Sequence, residues 1–350
     1  MSEISIIVVT YNSRKAIARS LDSIFNQTFK QFEVIVIDNG SKDYTVDFIK
    51  ENYPQVKIIK NIKNEGVCKA KNQGINIAKG KYILTLSDSV VLKRDFLDEV
   101  RKTMDRFKDK IGMVGVKILK SDKKTIYSAG LHLSRFFRYY DIGKNHLDCE
   151  RFNRQRYIFG PNSAAAVYRR DMLEDIKKSG QYFDEDFFLF AEDVDLAWRA
   201  KKRGWKCIFC NTAVCYYYDE GYNKYPKEFI RYMSFRNRYF LLTKHIGVKQ
   251  YLLSLLIFDI PQLLKILFCN RSAVKHTFKA SLESIRIMSK SLEWSYLLPL
   301  IFHDIPKLTY LLFFNKRFFT AIKYFVTVMS KSIETQDYSG KPFELVSQYW

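Results

Sequence analysis

Ile4–Asn12 reads ISIIVVTYN and Val34–Ser41 reads VIVIDNGS. Each is a short run of mostly β-branched residues that stops abruptly in small polar ones. Runs that are apolar at every position suit strands covered on both faces. Outward from them, the first half of the chain alternates strand and helix. Ser13–Asn26 carries Ala16, Ile17, Leu21, Ile24 and Phe25 at helical spacing, with Ser13 placed to cap it. Phe32–Ile37 reads as a second buried strand, Thr45–Glu51 as helix and Val56–Lys60 as a third strand. Gly66–Ala78 is predicted as a helix that buries Ala70, Gly74, Ile77 and Ala78. Gly80 ends it, and Tyr82–Leu86 follows as a strand. This alternation implies an α/β fold with a mostly parallel sheet flanked by helices. Ligands reach such sheets at the carboxyl ends of the strands. Thr10-Tyr11-Asn12, Asp38-Asn39-Gly40-Ser41 and Ser87-Asp88-Ser89 all fall there.

A chain of 350 residues holds one large domain and an appendage. With 47% hydrophobic and 27% charged residues it is globular, which excludes the disordered class. The net charge of +21 draws a polyanion: nucleic acid, an anionic bilayer or a phosphorylated substrate. No zinc finger, aromatic RNA-binding motif or helix-turn-helix accompanies that charge, so no nucleic-acid partner is expected. Only Met1, Ser2 and Glu3 precede the first strand, so no export signal is expected and the cysteines are expected to be reduced. Cys207 and Cys210 form a CxxC with no second pair to complete a zinc site; they read as packed residues of a strand, KCIFC.

Near Tyr225 the texture changes, which divides the chain into residues 1–224 and 225–350. The second part is rich in Leu, Ile, Phe, Lys and Arg. It contains a weak repeat built around Asp-Ile-Pro at Asp259 and Asp304. Charged residues and prolines interrupt both copies, so neither suits a membrane span. Basic amphipathic helices lying in a membrane interface and a helical region packed on the sheet are the two readings.

Phe183–Arg199, FDEDFFLFAEDVDLAWR, sets carboxylates inside aromatic and aliphatic residues. Such carboxylates are costly to bury unless paired or functional. Asp195 and Arg199 stand i, i+4 on a predicted helix, spaced for an ion pair. Asp184 and Glu185 read either as acceptor-side residues or as turn caps.

Taken together, VVTYNS, VIDNGS, KNEGVCKAKNQGINIAKGKYIL, GPNSAAAVYRRD and FDEDFFLFAEDVDLAWR make the chain resemble the family 2 glycosyltransferases of GT-A fold. It looks most like the branch that includes bacterial rhamnosyltransferases. The resemblance covers about Ile4–Tyr218, with an echo in RYMSFRNRYFLLTKH (Arg231–His245). It implies that Thr10, Tyr11 and Asn12 hold nucleobase and ribose, with Asn39 and Ser41 beside them. It implies that Asp38 accepts a hydrogen bond from the base imide, a role compatible with capping its own turn. Lys69 and Asn72, one turn apart, either reach the donor diphosphate or sugar or, for the lysine, face solvent. Asp193 is implied as the general base toward the acceptor hydroxyl, with Glu192 assisting and Arg199 on the acceptor side.

One segment departs from the family pattern. Where members carry Asp-x-Asp for a divalent cation, this chain reads Ser87-Asp88-Ser89, so only Asp88 is left to hold Mg²⁺ or Mn²⁺. Where many relatives place a histidine after the last strand, it reads AVCYYY (Ala213–Tyr218). The expectation is an inverting transferase that uses a UDP- or dTDP-linked sugar. Its expected acceptor is a glycan or polyprenyl-linked hydroxyl in surface polysaccharide synthesis, at the cytoplasmic face of an anionic membrane. The competing expectation is a catalytically silent protein of the same fold that binds a nucleotide-sugar or a partner transferase.

Overall fold

The computed structural model describes residues 2–107, 110–135, 137–154, 157–218 and 225–247. The Asp259 and Asp304 repeat, and with it most of 225–350, lies outside them.

The front of the chain runs β1 (Ile4–Thr10), α1 (Arg14–Phe25), β2 (Phe32–Asp38), α2 (Thr45–Asn52), β3 (Lys57–Lys60), α3 (Val67–Ile77) and β4 (Tyr82–Ser87). β3, β2, β1 and β4 lie side by side and parallel. Along β1, Ile7 packs into one hydrophobic cluster, while Ile4, Ile6 and Val8 pack into the other. Because side chains alternate across a strand, an unbroken apolar run places a core on each face. Gly74 of α3 allows one of these contacts, since a Cβ there would lie 2.5 Å from Cγ2 of Ile7.

Two local expectations are corrected. Ser13 precedes α1, but its side chain does not cap the helix; its hydroxyl donates instead to the carbonyl of Tyr11. Ile77 is 42% exposed, and α3 instead buries Cys68, Ala70, Lys71, Asn72, Gly74 and Ile75.

The sheet continues through β5 (Val90–Leu92), β6 (Ile111–Lys120), β11 (Ala165–Arg169) and β12 (Lys206–Tyr217), with α4 (Phe96–Arg106) packed on β12. β11 inserts antiparallel between β4 and β6, so the sheet is mixed. An excursion between β6 and β11 adds β7 (Ile126–Ser128), β8 (Leu131–Leu133), β9 (Tyr139–Asp141), α5 (Glu150–Asn153) and β10 (Tyr157–Ile158). β8 and β9 form a separate hairpin. Buried Lys117 anchors the excursion through Asp148 at 2.9 Å and Asn153 at 2.5 Å. Cys207 and Cys210 are buried free thiols in β12.

α6 (Arg170–Ile176) and α7 (Glu192–Lys202) cover the far face, and α8 (Lys227–His245) returns to it. Phe240 and Leu241 of α8 join the cluster that holds Ile7 and Tyr168. Among the described residues, no helix is long and apolar enough to cross a membrane.

Candidate active site

A cleft of about 530 Å³ opens at the carboxyl ends of β1 and β4. Tyr11, Asn39, Asp88, Lys71, Glu192 and Asp193 are among the residues that line it. On one wall, Thr10 Oγ1 donates to Asp88 Oδ2 at 3.0 Å, and Ser89 Oγ donates to Asp88 Oδ1 at 3.1 Å. The ends of two adjacent parallel strands therefore meet at one carboxylate. Asn39 organises the neighbouring loop: its Nδ2 donates to Asn64 Oδ1 and to the Gly66 carbonyl, and its Oδ1 accepts from Asn61 and the Glu65 amide.

Asp38 is fully buried. One of its oxygens accepts from the Ser41 amide at 3.1 Å, and the other, Oδ1, has no partner. An unpaired buried carboxylate oxygen is costly unless something donates to it. Asn12 and Ser41 tie the first two loops together, the Asn12 amide donating to Ser41 Oγ at 2.9 Å. Neither of them lines the cleft, and nor does Asp38.

Among the described residues, no group of three or more His, Cys, Asp or Glu could hold a metal ion. The donor set at the strand ends is one carboxylate with hydroxyls. That set suits Mg²⁺ when diphosphate oxygens and water supply the remaining positions, because this ion keeps its waters and takes only one or two carboxylates.

The opposite wall is the start of α7. Glu192 Oε1 accepts from Lys71 Nζ at 3.0 Å and from the hydroxyl of Ser163. Lys71 Nζ also donates to Ser163 Oγ at 2.5 Å and lies 4.9 Å from the centre of the Phe183 ring. Asp193 Oδ2 accepts from the Ser163 amide at 2.9 Å, and Oδ1 from the Val194 amide at 2.8 Å. Both acids are buried. Burial pushes Asp193 up to about 7, and the adjacent Glu192 charge adds to the effect. Burial works the same way on Glu192, but Lys71 and Ser163 outweigh it and hold Glu192 below its ordinary range. Lys71 bonds Glu192 and not Asp193, so a proton shared by the pair rests on Asp193.

The other expected site residues lie elsewhere. Lys69 pairs with Glu65 at 2.9 Å on the exposed side of α3 and does not reach the cleft. Asn72 is buried and holds the next loop: its Nδ2 donates to the Phe183 carbonyl and to Glu185, and its Oδ1 accepts from the Phe183 amide. Asp184 caps a short 3₁₀ turn through the Asp186 amide and pairs with Lys244 at 2.6 Å. Arg199 makes the expected pair with Asp195 at 2.9 Å and donates to the carbonyls of Ile176 and Tyr182. Asp184, Glu185 and Arg199 thus brace the acid wall from behind and do not line the cleft.

Sequence reasoning missed Lys71, Ser163 and the rim formed by Tyr139, Tyr140 and Asp141. For Lys71 a signal existed: it stands between Cys68 (i−3) and Ile75 (i+4) on one helical stripe, where a lysine needs an anionic partner. Ser163 lies in the quoted GPNSAAAVYRRD motif, which marks the segment without giving its partner, and for the rim there was no signal, since it reaches the acids through tertiary contact.

Comparison with known proteins bears on the family and the fold. The family model described as Glycosyl transferase family 2 matches residues 5–177. A dolichyl N-acetyl-alpha-D-glucosaminyl phosphate 3-beta-D-2,3-diacetamido-2,3-dideoxy-beta-D-glucuronosyltransferase of Methanococcus voltae is 30% identical over 251 residues, covering 66% of this chain and 72% of that protein. The chondroitin synthase of Escherichia coli is 36% identical over 108 residues, 29% of this chain. The chain spans only 16% of that synthase and 38% or less of the further curated relatives. Among solved structures, a mannosyltransferase from Pyrobaculum calidifontis in complex with GDP-Man and Mn²⁺ superposes with a TM-score of 0.53 at 16% identity, over 96% of this chain and 88% of that one. Residues 1–349 of TarS from S. aureus give 0.53 at 19% identity, over 88% of each chain. At such identities the likeness is one of fold.

Proposed function

The chain belongs to glycosyl transferase family 2, and on that premise we propose an inverting transfer in which Asp193 is the general base. Transfer of a sugar from a nucleoside-diphosphate donor to an acceptor is the activity of the family. The observation that carries the finer reading is a buried cleft carboxylate pushed up to about 7, beside a second acid kept ionised by Lys71. A base works best when its pKa lies near the working pH.

In the proposed step, the acceptor hydroxyl gives its proton to Asp193 as its oxygen forms a bond to the anomeric carbon. The bond from that carbon to the diphosphate oxygen breaks on the opposite face, and its electron pair leaves with the nucleoside diphosphate. Glu192 and Lys71 stay as a neutral pair that fixes the proton's destination. Asp88, at the ends of β1 and β4, would hold a Mg²⁺ that arrives with the diphosphate; the cation supplies charge neutralisation for the leaving group. The sequence resemblance, which sets Asp38 toward a base imide, supports a pyrimidine base, although Asp38 is buried off the cleft lining and would meet the base only through a shift of the strand-end loop. Donors carrying UDP or dTDP are therefore favoured, dTDP-rhamnose among them by the sequence resemblance.

A hydroxyl-bearing glycan or polyprenyl-linked acceptor suits the remaining rim, where Tyr139 and Tyr140 offer apolar ring faces and Asp141 an acceptor for hydroxyls. The net charge of +21 and the basic 225–350 segment support a peripheral site on an anionic membrane, which co-sedimentation with anionic vesicles at physiological salt would test.

The decisive assay follows release of UDP or dTDP from donor sugars, together with calorimetric titration of each nucleotide with and without Mg²⁺ or Mn²⁺. Release that vanishes in Asp193→Asn while nucleotide binding persists is the expected result. Nucleotide binding without any release from the unaltered protein would favour the silent-partner reading, for which the single acid at Ser87-Asp88-Ser89 is the motivation.

A further inference from the structure

Residues 186–191, DFFLFA, deliver Asp193 to the cleft along a costly backbone course. Phe188, Phe190 and Ala191 have φ of 60°, 70° and 64°. Left-handed conformations in residues with a Cβ are strained and persist only where the surroundings over-determine them. The turns also aim the loop's carbonyls inward, where they need donors.

Those donors come from two helices distant in sequence. Asn237 of α8 is fully buried, and its Nδ2 lies 2.9, 2.6 and 2.8 Å from the carbonyl oxygens of Phe187, Leu189 and Phe190. Its Oδ1 accepts from Arg236 Nη1 at 2.8 Å, which fixes the amide's orientation, and the same Nη1 donates to the Asp186 carbonyl. The remaining carbonyl, of Phe188, accepts from the Val67 amide at the start of α3 at 2.7 Å. Asn237 thus shares its two N–H bonds among three carbonyls, of which that of Phe187 also accepts from the Leu189 amide, while Arg236 and Val67 serve those of Asp186 and Phe188. Leucine, with a similar volume, would pack at position 237 but satisfy none of them. On the same helix, Ile230 and Ser234 line the cleft.

We propose that Asn237 is a positioning residue for the transfer reaction: it holds residues 186–191 in the course that delivers Asp193, so that α8 sets the position of the base. This rests on Asp193 being that base. A displacement of about 1 Å at a reacting group costs on the order of 100-fold in rate, so the strap acts on kcat rather than on nucleotide affinity. The groups that face Asp193 are Glu192, Lys71, Asp141, Tyr139 and Tyr168, with the Ser163 and Val194 amides. If the loop relaxes, Asp193 gains solvent and the acid limb of kcat moves to lower pH.

The test compares Asn237→Ala, Asn237→Asp and, on the same helix away from the loop, Thr243→Ala. Turnover is normalised to folded protein, UDP or dTDP affinity is measured by calorimetry, and kcat is followed over pH. Asn237→Asp keeps the shape but turns an acceptor toward three acceptors. The expected result is a kcat loss on the order of 10- to 100-fold in both Asn237 variants, with a shifted acid limb, nucleotide affinity within about twofold, and Thr243→Ala unchanged. If neither Asn237 variant folds, Arg236→Gln cuts the same strap more gently, and a several-fold kcat loss is expected. Turnover lost in Asp193→Asn but kept in the folded strap variants would overturn this inference alone. Turnover kept in Asp193→Asn would overturn the base assignment and this inference with it.

Discussion

On one wall of the cleft, Thr10, Asn39 and Asp88 follow directly from the ends of adjacent strands, each a few residues from a buried apolar run. On the other wall, Glu192 and Asp193 follow a loop with three left-handed residues, tied by Asn237, Val67 and Ser163. The strand ends are placed by the regular geometry of a parallel sheet, and left-handed backbone enters only in the loops beyond them, at Asn12, Gly40 and Tyr44. The acids are placed by partners 30 to 120 residues away, which hold a conformation the segment would not keep alone. A binding wall can rest on regular structure. A pair of buried carboxylates cannot, because their charge needs specific partners at specific distances.

That contrast can be broken experimentally, and the largest effect is expected at Asp193. Asp193→Asn should lower turnover on the order of 10²- to 10⁴-fold with nucleotide affinity preserved, and kcat of the unaltered protein should fall below pH about 7. The stability effect has the opposite sign. The folded-state value of Asp193 lies above its ordinary 3.8, so the folded protein binds the extra proton between about pH 4 and 7. The residue therefore costs stability increasingly as pH rises through that window, fully so above it. Asn sets its NH₂ against one of the two backbone amides that Asp193 accepts from, a cost present at every pH, so melting curves should show the Tm change in Asp193→Asn moving toward stabilisation from pH 5 to pH 8. A Tm change independent of pH would contradict the buried, proton-holding environment.

Lys71→Met comes next. It leaves Glu192 buried without its cation, a change that costs about 3–5 kcal/mol, read as a loss in urea midpoint together with lost turnover. If this variant were as stable as the parent, the acid wall would not depend on its long-range partner. A smaller effect is expected on the strand-end wall. Asp88→Ala should weaken UDP or dTDP about tenfold in Mg²⁺, remove the difference between Mg²⁺ and a chelator, and lower Tm modestly because the buried Thr10 and Ser89 hydroxyls lose their acceptor. Equal affinity with and without Mg²⁺ in the unaltered protein would instead assign the diphosphate to basic side chains. The smallest effect is expected at Lys69, whose exposed pair with Glu65 is screened by water. Lys69→Ala should alter neither release of nucleotide nor Tm by more than about 1 °C.

The two walls also differ in how far they were legible. Thr10, Tyr11, Asn39 and Asp88 were found because apolar runs end beside them and strand ends in parallel sheets face the ligand. On α3, one-turn helical spacing chose Lys69 and Asn72 and passed over Lys71. Helical spacing gives a stripe, but which neighbouring stripe faces the cleft depends on how the helix rolls on the sheet. Gly74 against Ile7 decides that roll. In the acid segment, a cluster of carboxylates among aromatics was visible, and the Asp195–Arg199 pair followed from spacing alone. The roles of Asp184, Glu185 and Arg199 behind the acids were not visible, because their partners lie on α3, on α8 and in loops far along the chain.

By itself the sequence determined the alternation of strand and helix, the mixed α/β class, the family, and the cluster of carboxylates among aromatic residues. These are local properties, written in periodicity and residue type. Only the tertiary structure decided that Lys71 takes Glu192, that Asp193 is left to hold the proton, and that Asn237 satisfies the carbonyls of a strained loop. Burial and pairing set a carboxylate's proton affinity, and both come from residues that are neighbours in space and not in sequence.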